Sequence, residues 1–282
     1  MSHTMAALST GSAGHAPPTA YRRARAALAA EWIKLRSLRS MLVTPLLAVI
    51  VSIGLANLVC FNWVKKWPHL DAAHKAGFVP LDTNLNFVII GAIFLGVLGA
   101  LVVTNEYGHG LIRTTLAATP QRGLVLAAKA VVLGLVAFMV SAVICFTAFF
   151  TGQAQLSGGH LPHVSLGDPG VLGHVLGAVC YMTAVGLIGL FGAVLVRSAA
   201  AAISVVFALL FVLPALVSGL PDDIAKRDIV PYLPTNLGGS LYLSHPHHAV
   251  GVASTPIAVL ATAAWVVVLG VAAAFTLRGH DA

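Results

Sequence analysis

Seven histidines lie in the first, third and fifth stretches between the apolar runs of this chain: His69, His74, His160, His163, His245, His247 and His248. Imidazole is a common metal ligand near neutral pH, so such a set raises the question of zinc or copper. The spacing argues against it. His245-Pro246-His247-His248 offers no regular helical ligand pair and no neighbouring acid, which favours solvated loop histidines over a metal site. The three cysteines, Cys60, Cys145 and Cys180, fall in or at the ends of apolar runs without a Cys-x-x-Cys pair, so packing is their expected role. Catalytic motifs are missing as well: there is no Gly-x-x-x-x-Gly-Lys phosphate loop, no His-Glu-x-x-His and no Gly-x-Ser-x-Gly elbow. The expectation is a chain that is no enzyme and binds no cofactor itself.

One polar stretch has the makings of a docking element. From Asn105 to Lys129 the sequence reads NEYGHGLIRTTLAATPQRGLVLAAK. Leu111, Ile112, Thr115 and Leu116 have the spacing of a short amphipathic helix ended by Pro120, leaving Glu106, Tyr107, His109 and Arg113 to face a partner. An ordinary solvated connector is the alternative reading of the same pattern.

The elements that must carry these residues are apolar. Of the 282 residues 58% are hydrophobic and only 9% charged, and the mean hydropathy is +0.92, more than a water-soluble fold can solvate. About 20 largely apolar residues are needed to cross a bilayer as a helix, because the backbone must satisfy its own hydrogen bonds there. Six windows qualify, at 41–61, 85–104, 131–150, 171–196, 199–219 and 256–277. The predicted fold is an all-α membrane protein with a domain of six transmembrane helices over 41–277. It follows a disordered tail over 1–20 and an amphipathic interfacial helix over 21–40, and it ends in a short tail over 278–282. The first long apolar run begins at Met41 and is long enough to span, so no cleaved secretory signal is expected.

Charge sets the expected orientation. Arg22, Arg23, Arg25, Lys34, Arg36, Arg39, Arg113, Arg122, Lys129, Arg197 and Arg278 fall on one side; the opposite loops hold Lys65, Lys66, Lys75, Lys226 and Arg227, offset by Asp71, Asp82, Asp168, Asp222, Asp223 and Asp228. The positive-inside rule then puts both termini in the cytoplasm of a cell-membrane protein. The net charge of +7 reads as this topology signal; with no basic soluble domain, nucleic acid is not an expected partner. In the interfacial helix Leu28, Trp32, Leu35 and Leu38 form an apolar stripe, with Lys34, Arg36 and Arg39 placed to meet anionic lipid headgroups and Trp32 at the boundary.

Inside the spans only His174 is ionisable, and it reads as a packed or interfacial residue, with no acidic residue in the spans beside it. Small residues recur every four positions at Ala92, Gly96 and Ala100 and again at Gly173 and Gly177, the pattern of close helix packing within one chain or between two. Pro214 interrupts the fifth window and is expected to kink it. The uncharged spans mildly favour an apolar, amphipathic or lipid-like cargo. No clear midplane break of the kind used by ion-driven transporters is legible.

Three stretches resemble the ABC-2 type permeases, the membrane subunits of bacterial ATP-driven exporters, especially the actinobacterial ones. They are Ala30–Ser40 before the first span, Asn105–Leu116 continuing through Pro120, Arg122 and Ala128-Lys129, and Ile229-Val230-Pro231-Tyr232-Leu233-Pro234-Thr235-Asn236 as an outer segment before the last span. The resemblance covers residues 30–277. It implies a six-span half that pairs with a second permease half, identical or homologous, and with a separate ATP-binding subunit that uses the ATP. It also implies that the 105–129 loop couples to that ATPase, with Glu106, Tyr107, Gly110, Arg113 and Thr114 as the contact residues. The competing readings are a secondary transporter or channel, which works without an ATPase, and a non-transporting anchor or immunity protein.

Overall fold

A computed structural model describes residues 20–37, 39–108, 122–219, 229–244 and 253–279, and among these residues there is no strand. The helices are α1 (Ala20–Ser37), α2 (Arg39–Lys66), α3 (Ala72–Ala76), α4 (Pro80–Leu85), α5 (Val88–Gly108), α6 (Arg122–Gly158), α7 (Val171–Val196), α8 (Ala199–Phe207), α9 (Leu213–Ser218), α10 (Pro234–Tyr242) and α11 (Thr255–Gly279). Six stretches are long and apolar enough to cross a membrane: Met41–His69, Pro80–Asn105, Gly123–Gly158, Val171–Val196, Ala199–Val217 and Thr255–Leu277. They coincide with the six apolar windows of the sequence. This is the architecture of a multi-pass membrane protein.

The second and fourth spans form its centre. In each, 67% of the most apolar 18-residue window is buried, against 17% in the first span and 11% in the sixth. The reason is the absence of side chains where α5 meets α7. A Cβ on Gly99 would lie 2.0 Å from the Gly186 carbonyl oxygen, and one on Gly189 would lie 2.1 Å from that of Gly96. The two backbones therefore touch, as lipid-embedded helices do when small residues let dispersion act at short range. Ala92 and Ala100 are fully buried on the same helix. The small-residue stripe of the second span thus packs within the chain. The other stripe divides: Gly177 abuts the Leu241 backbone of α10, whereas Gly173 has no atom near enough to meet a Cβ.

Local boundaries differ from the sequence expectation in two places. The helix expected over 21–40 ends at Ser37, so Arg39 is the first residue of the spanning helix α2 rather than part of the lead-in. The connection expected over 105–129 is shorter than it reads. Residues 105–108 complete α5 and Arg122 through Lys129 open α6, because Leu124, Val125, Leu126, Ala127 and Ala128 continue the apolar helix toward the charged end. At 37 residues α6 is about 55 Å long, well beyond the roughly 30 Å of a hydrocarbon core.

The fifth span is broken. α8 passes into a π segment, Ala208–Val212, and then into α9, which carries Pro214. Pro214 has no N–H to donate to Leu210, four residues before it, so a carbonyl is left open at membrane depth. The Thr235 hydroxyl, at the start of α10, donates to that Leu210 oxygen at 2.7 Å. α10 itself is buried along Pro234, Leu237, Gly238, Leu241 and Tyr242. A Cβ on Gly238 would collide with the Tyr181 ring, and the Leu241 backbone meets Gly177. Those α7 residues lie about 9 to 15 Å along the helix from its Val171 end. The stretch expected as an outer segment, Ile229–Asn236, therefore leads into a half-helix inserted among the spans. Trp265 of α11 secures it by donating to the Tyr232 carbonyl at 2.9 Å.

Candidate functional site

The chemistry of this protein collects at the two ends of the bundle. At the end bearing α1, one carboxylate lies between two ammonium groups. Glu31 Oε2 is 2.5 Å from Lys129 Nζ, and Glu31 Oε1 is 2.8 Å from Lys34 Nζ. Glu31 and Lys129 are only 4% and 6% exposed, so the pair is shut away from water. Local geometry explains the arrangement. Glu31 and Leu35 are one turn apart and form the buried face of α1, which seats on the first turns of α6, where Lys129 projects.

Of the expected stripe of Leu28, Trp32, Leu35 and Leu38, Leu35 is buried and Leu28 is 36% exposed, while Leu38 lies outside the described residues. Trp32 is 44% exposed, Arg36 is exposed and Lys34 is half-buried in its contact with Glu31. Glu31 is the only acidic residue among the six basic ones of 20–40, and that was the available signal. Its partner, 98 positions away, was not legible.

The residues expected to contact an ATPase lie 15 to 23 positions before Lys129 in the sequence. Glu106 and Tyr107 occupy the last turn of α5. Gly110, Arg113 and Thr114 lie outside the described residues, as does His109. The intervening segment, 109–121, thus leaves α5 and returns at Arg122, two turns before Lys129.

The far end is held by amides and one acid. Asp82, expected as a loop charge, is buried on α4 and accepts from both the backbone N–H and the hydroxyl of Ser244 at 2.7 Å. Asn84 donates to the Ala148 carbonyl at 3.0 Å, and Asn57 donates to Thr151 at 3.0 Å and in turn accepts from Gln155. Gln153 receives the Val164 N–H at 2.9 Å and donates to the Pro80 carbonyl. Beside this cluster Trp63 and Trp67 close on Phe78 with ring centroids 4.8 and 5.2 Å apart, a pattern suited to the edge of a bilayer.

Among the described residues no three His, Cys, Asp or Glu side chains come together as metal ligands; His245, His247 and His248 lie outside that description. His74 instead pairs with Asp71 at 2.5 Å and opens α3 with its N–H on the same carboxylate. That backbone N–H, followed by the imidazole contact, holds the Asp71 carboxyl below its ordinary range. Asp168 is held down likewise by the Ser165 N–H and hydroxyl. Cys60 and Cys145 are buried within the packing, whereas Cys180 is exposed.

The arrangement has one buried ionic joint on the α1 side, a broken fifth span with an inserted half-helix, and a polar seal on the far side. No family model matches the chain, and none of the curated proteins compared with it is similar to it.

Proposed function

We propose that this chain is the membrane-spanning permease subunit of an ATP-binding cassette exporter in the cell membrane, with both termini and the 109–121 segment in the cytoplasm. One observation carries the reading: the buried Glu31–Lys129 pair, which joins α1 to the root of α6. A partner pushing on the segment between α5 and α6 would act on a helix end already braced to α1. A loop without such a brace would absorb the same motion locally. The excess of Lys and Arg on the α1 side supports the orientation. On this reading the ATP is bound and used by a separate subunit, a second permease half completes the path, and Glu106, Tyr107, Gly110, Arg113 and Thr114 make the contact. α1 is then the interfacial helix, its exposed Trp32 and Arg36 facing lipid headgroups.

The broken fifth span favours a second reading. Discontinuous helices and inserted half-helices are how transporters driven by solute gradients build a path at mid-membrane. Purification of the tagged chain from its native membrane in mild detergent separates the two. A stoichiometric soluble ATPase that co-purifies, and is lost on the double substitution Glu106→Ala with Arg113→Ala, is the result expected. A chain that purifies alone without ATPase activity, or a double variant that keeps both partner and transport, overturns the exporter reading.

A further inference from the structure

Two hydroxyls are shut inside the bundle without a hydrogen bond. Tyr181 of α7 is only 1% exposed and its Oη completes none; the Oγ1 of Thr262 on α11 is equally shielded and has no partner among the described residues. Tyr181 is ten residues along α7 from Val171, and Thr262 seven residues along α11 from Thr255, so they lie about 15 and 10 Å inside the far end. Neither bulk water nor a lipid headgroup is at hand at that depth, and an unpaired hydroxyl in hydrocarbon is unfavourable. A helical threonine ordinarily returns its proton to the carbonyl four residues back, as Thr183 does to Val179 and Thr276 to Ala272. Thr262 makes no such bond.

Both residues border one small space between α7, α10 and α11, walled also by Val185, Leu237 and Trp265. The centre of a water molecule has about 10 Å³ in which to move there, enough for one to enter. The remaining polar side-chain atom of the wall, Trp265 Nε1, is already given to the Tyr232 carbonyl at 2.9 Å. The Thr235 hydroxyl comes close to Tyr181, but its proton is committed to Leu210, and no hydrogen bond between the two is completed. Chemistry then narrows the occupant. An ion would leave its charge unmatched, because no charged side chain lies on the wall. An apolar group would leave both hydroxyls unpaired. A water molecule can accept from one hydroxyl and donate to the other, and each hydroxyl can take either part.

We propose that this space is a binding site for one water molecule, which bridges Tyr181 Oη to Thr262 Oγ1 and so joins α7 to α11 beside the half-helix α10. The site rests on three helices of this chain alone and stands or falls apart from the exporter reading.

Radiolytic footprinting of the full chain in lipid nanodiscs tests it. A brief X-ray pulse turns bound water into hydroxyl radical on the spot, while a scavenger in the buffer removes radicals made in bulk; mass spectrometry then reads the oxygen added to each side chain. Tyr181 is expected to be oxidised several-fold faster than Phe149, an aromatic ring just as buried at 1% that borders no part of this space. Thr262→Val keeps the shape and removes one of the two hydrogen bonds, so Tyr181 should lose most of its label. Thr262→Ser, which returns the hydroxyl, should restore it, and unchanged labelling of the exposed Tyr232 throughout reports an intact fold. A Tyr181 no more reactive than Phe149 would mean a dry cavity and overturn the proposal. So would a label indifferent to Thr262→Val, since the pair of hydroxyls would then hold nothing between them.

Discussion

Glu31 carries a carboxylate to a place that water barely reaches, and Lys129 meets it there. A buried pair of this kind contributes little net stability over apolar residues of the same shape, but losing one partner strands the other charge. Glu31→Ala is therefore expected to destabilise the folded chain by about 3–5 kcal/mol. The reversed pair, Glu31→Lys with Lys129→Glu, should recover much of that loss, although Lys34 then faces a second lysine. Unfolding of the purified variants in detergent, followed by tryptophan fluorescence, checks both; a reversed pair no more stable than the single variant would dismiss the contact. Asp82 makes the same point at the opposite end. Both acids were countable in the sequence, and neither burial could be read there, because each partner lies far along the chain, at 98 positions for Glu31 and 162 for Asp82. Charge census reads side chains one at a time, and burial belongs to pairs.

At the scale of elements, the spans were legible and the break was not. Six windows of apolar residues announce themselves by length, since a helix in hydrocarbon tolerates few charges. Pro214 was visible as an interruption, but its consequence depends on Thr235, whose hydroxyl takes over the Leu210 carbonyl. The half-helix α10 escaped because PTNLGGSLY is short and rich in turn formers, and only Gly238 and Leu241 against α7 show why it belongs inside. Thr235→Val should cost about 1 kcal/mol, in keeping with hydrogen bonds between membrane helices. Combined with Pro214→Ala, which returns an N–H able to serve Leu210, the cost should shrink. A double-mutant cycle on unfolding free energy measures this, and strict additivity would mean that proline and threonine act on unrelated groups.

For the whole molecule the α5–α7 contact is decisive, because every other span is arranged around it. Gly189→Ala would drive a Cβ into the Gly96 backbone, which cannot yield as a flexible side chain does. The expected cost is about 3 kcal/mol or more. Gly173→Ala, where nothing stands in the way, should stay within about 0.5 kcal/mol. Thermal unfolding of the two variants compares them directly, and similar losses would refute the backbone-to-backbone packing. The sequence stripe marked Gly173 and Gly177 alike; the fold separates them because the Leu241 backbone of α10 covers Gly177 while nothing lies against Gly173.

The length of α6 has a mechanical side. Lys129 near one end is joined to α1, and Gln153 near the other holds the Val164 N–H and the Pro80 carbonyl. These anchor points are 24 residues apart, or about 36 Å of rigid helix. A rod pinned at both faces of a bilayer does not bend to accommodate a push; it tilts as one body. A rotation of only about 5° at one pin displaces the other by about 3 Å, on the scale of the helix shifts by which proteins switch state. On the exporter reading, a push at the Lys129 end would reach the Gln153 end through the helix itself, without a relay of side chains through the membrane.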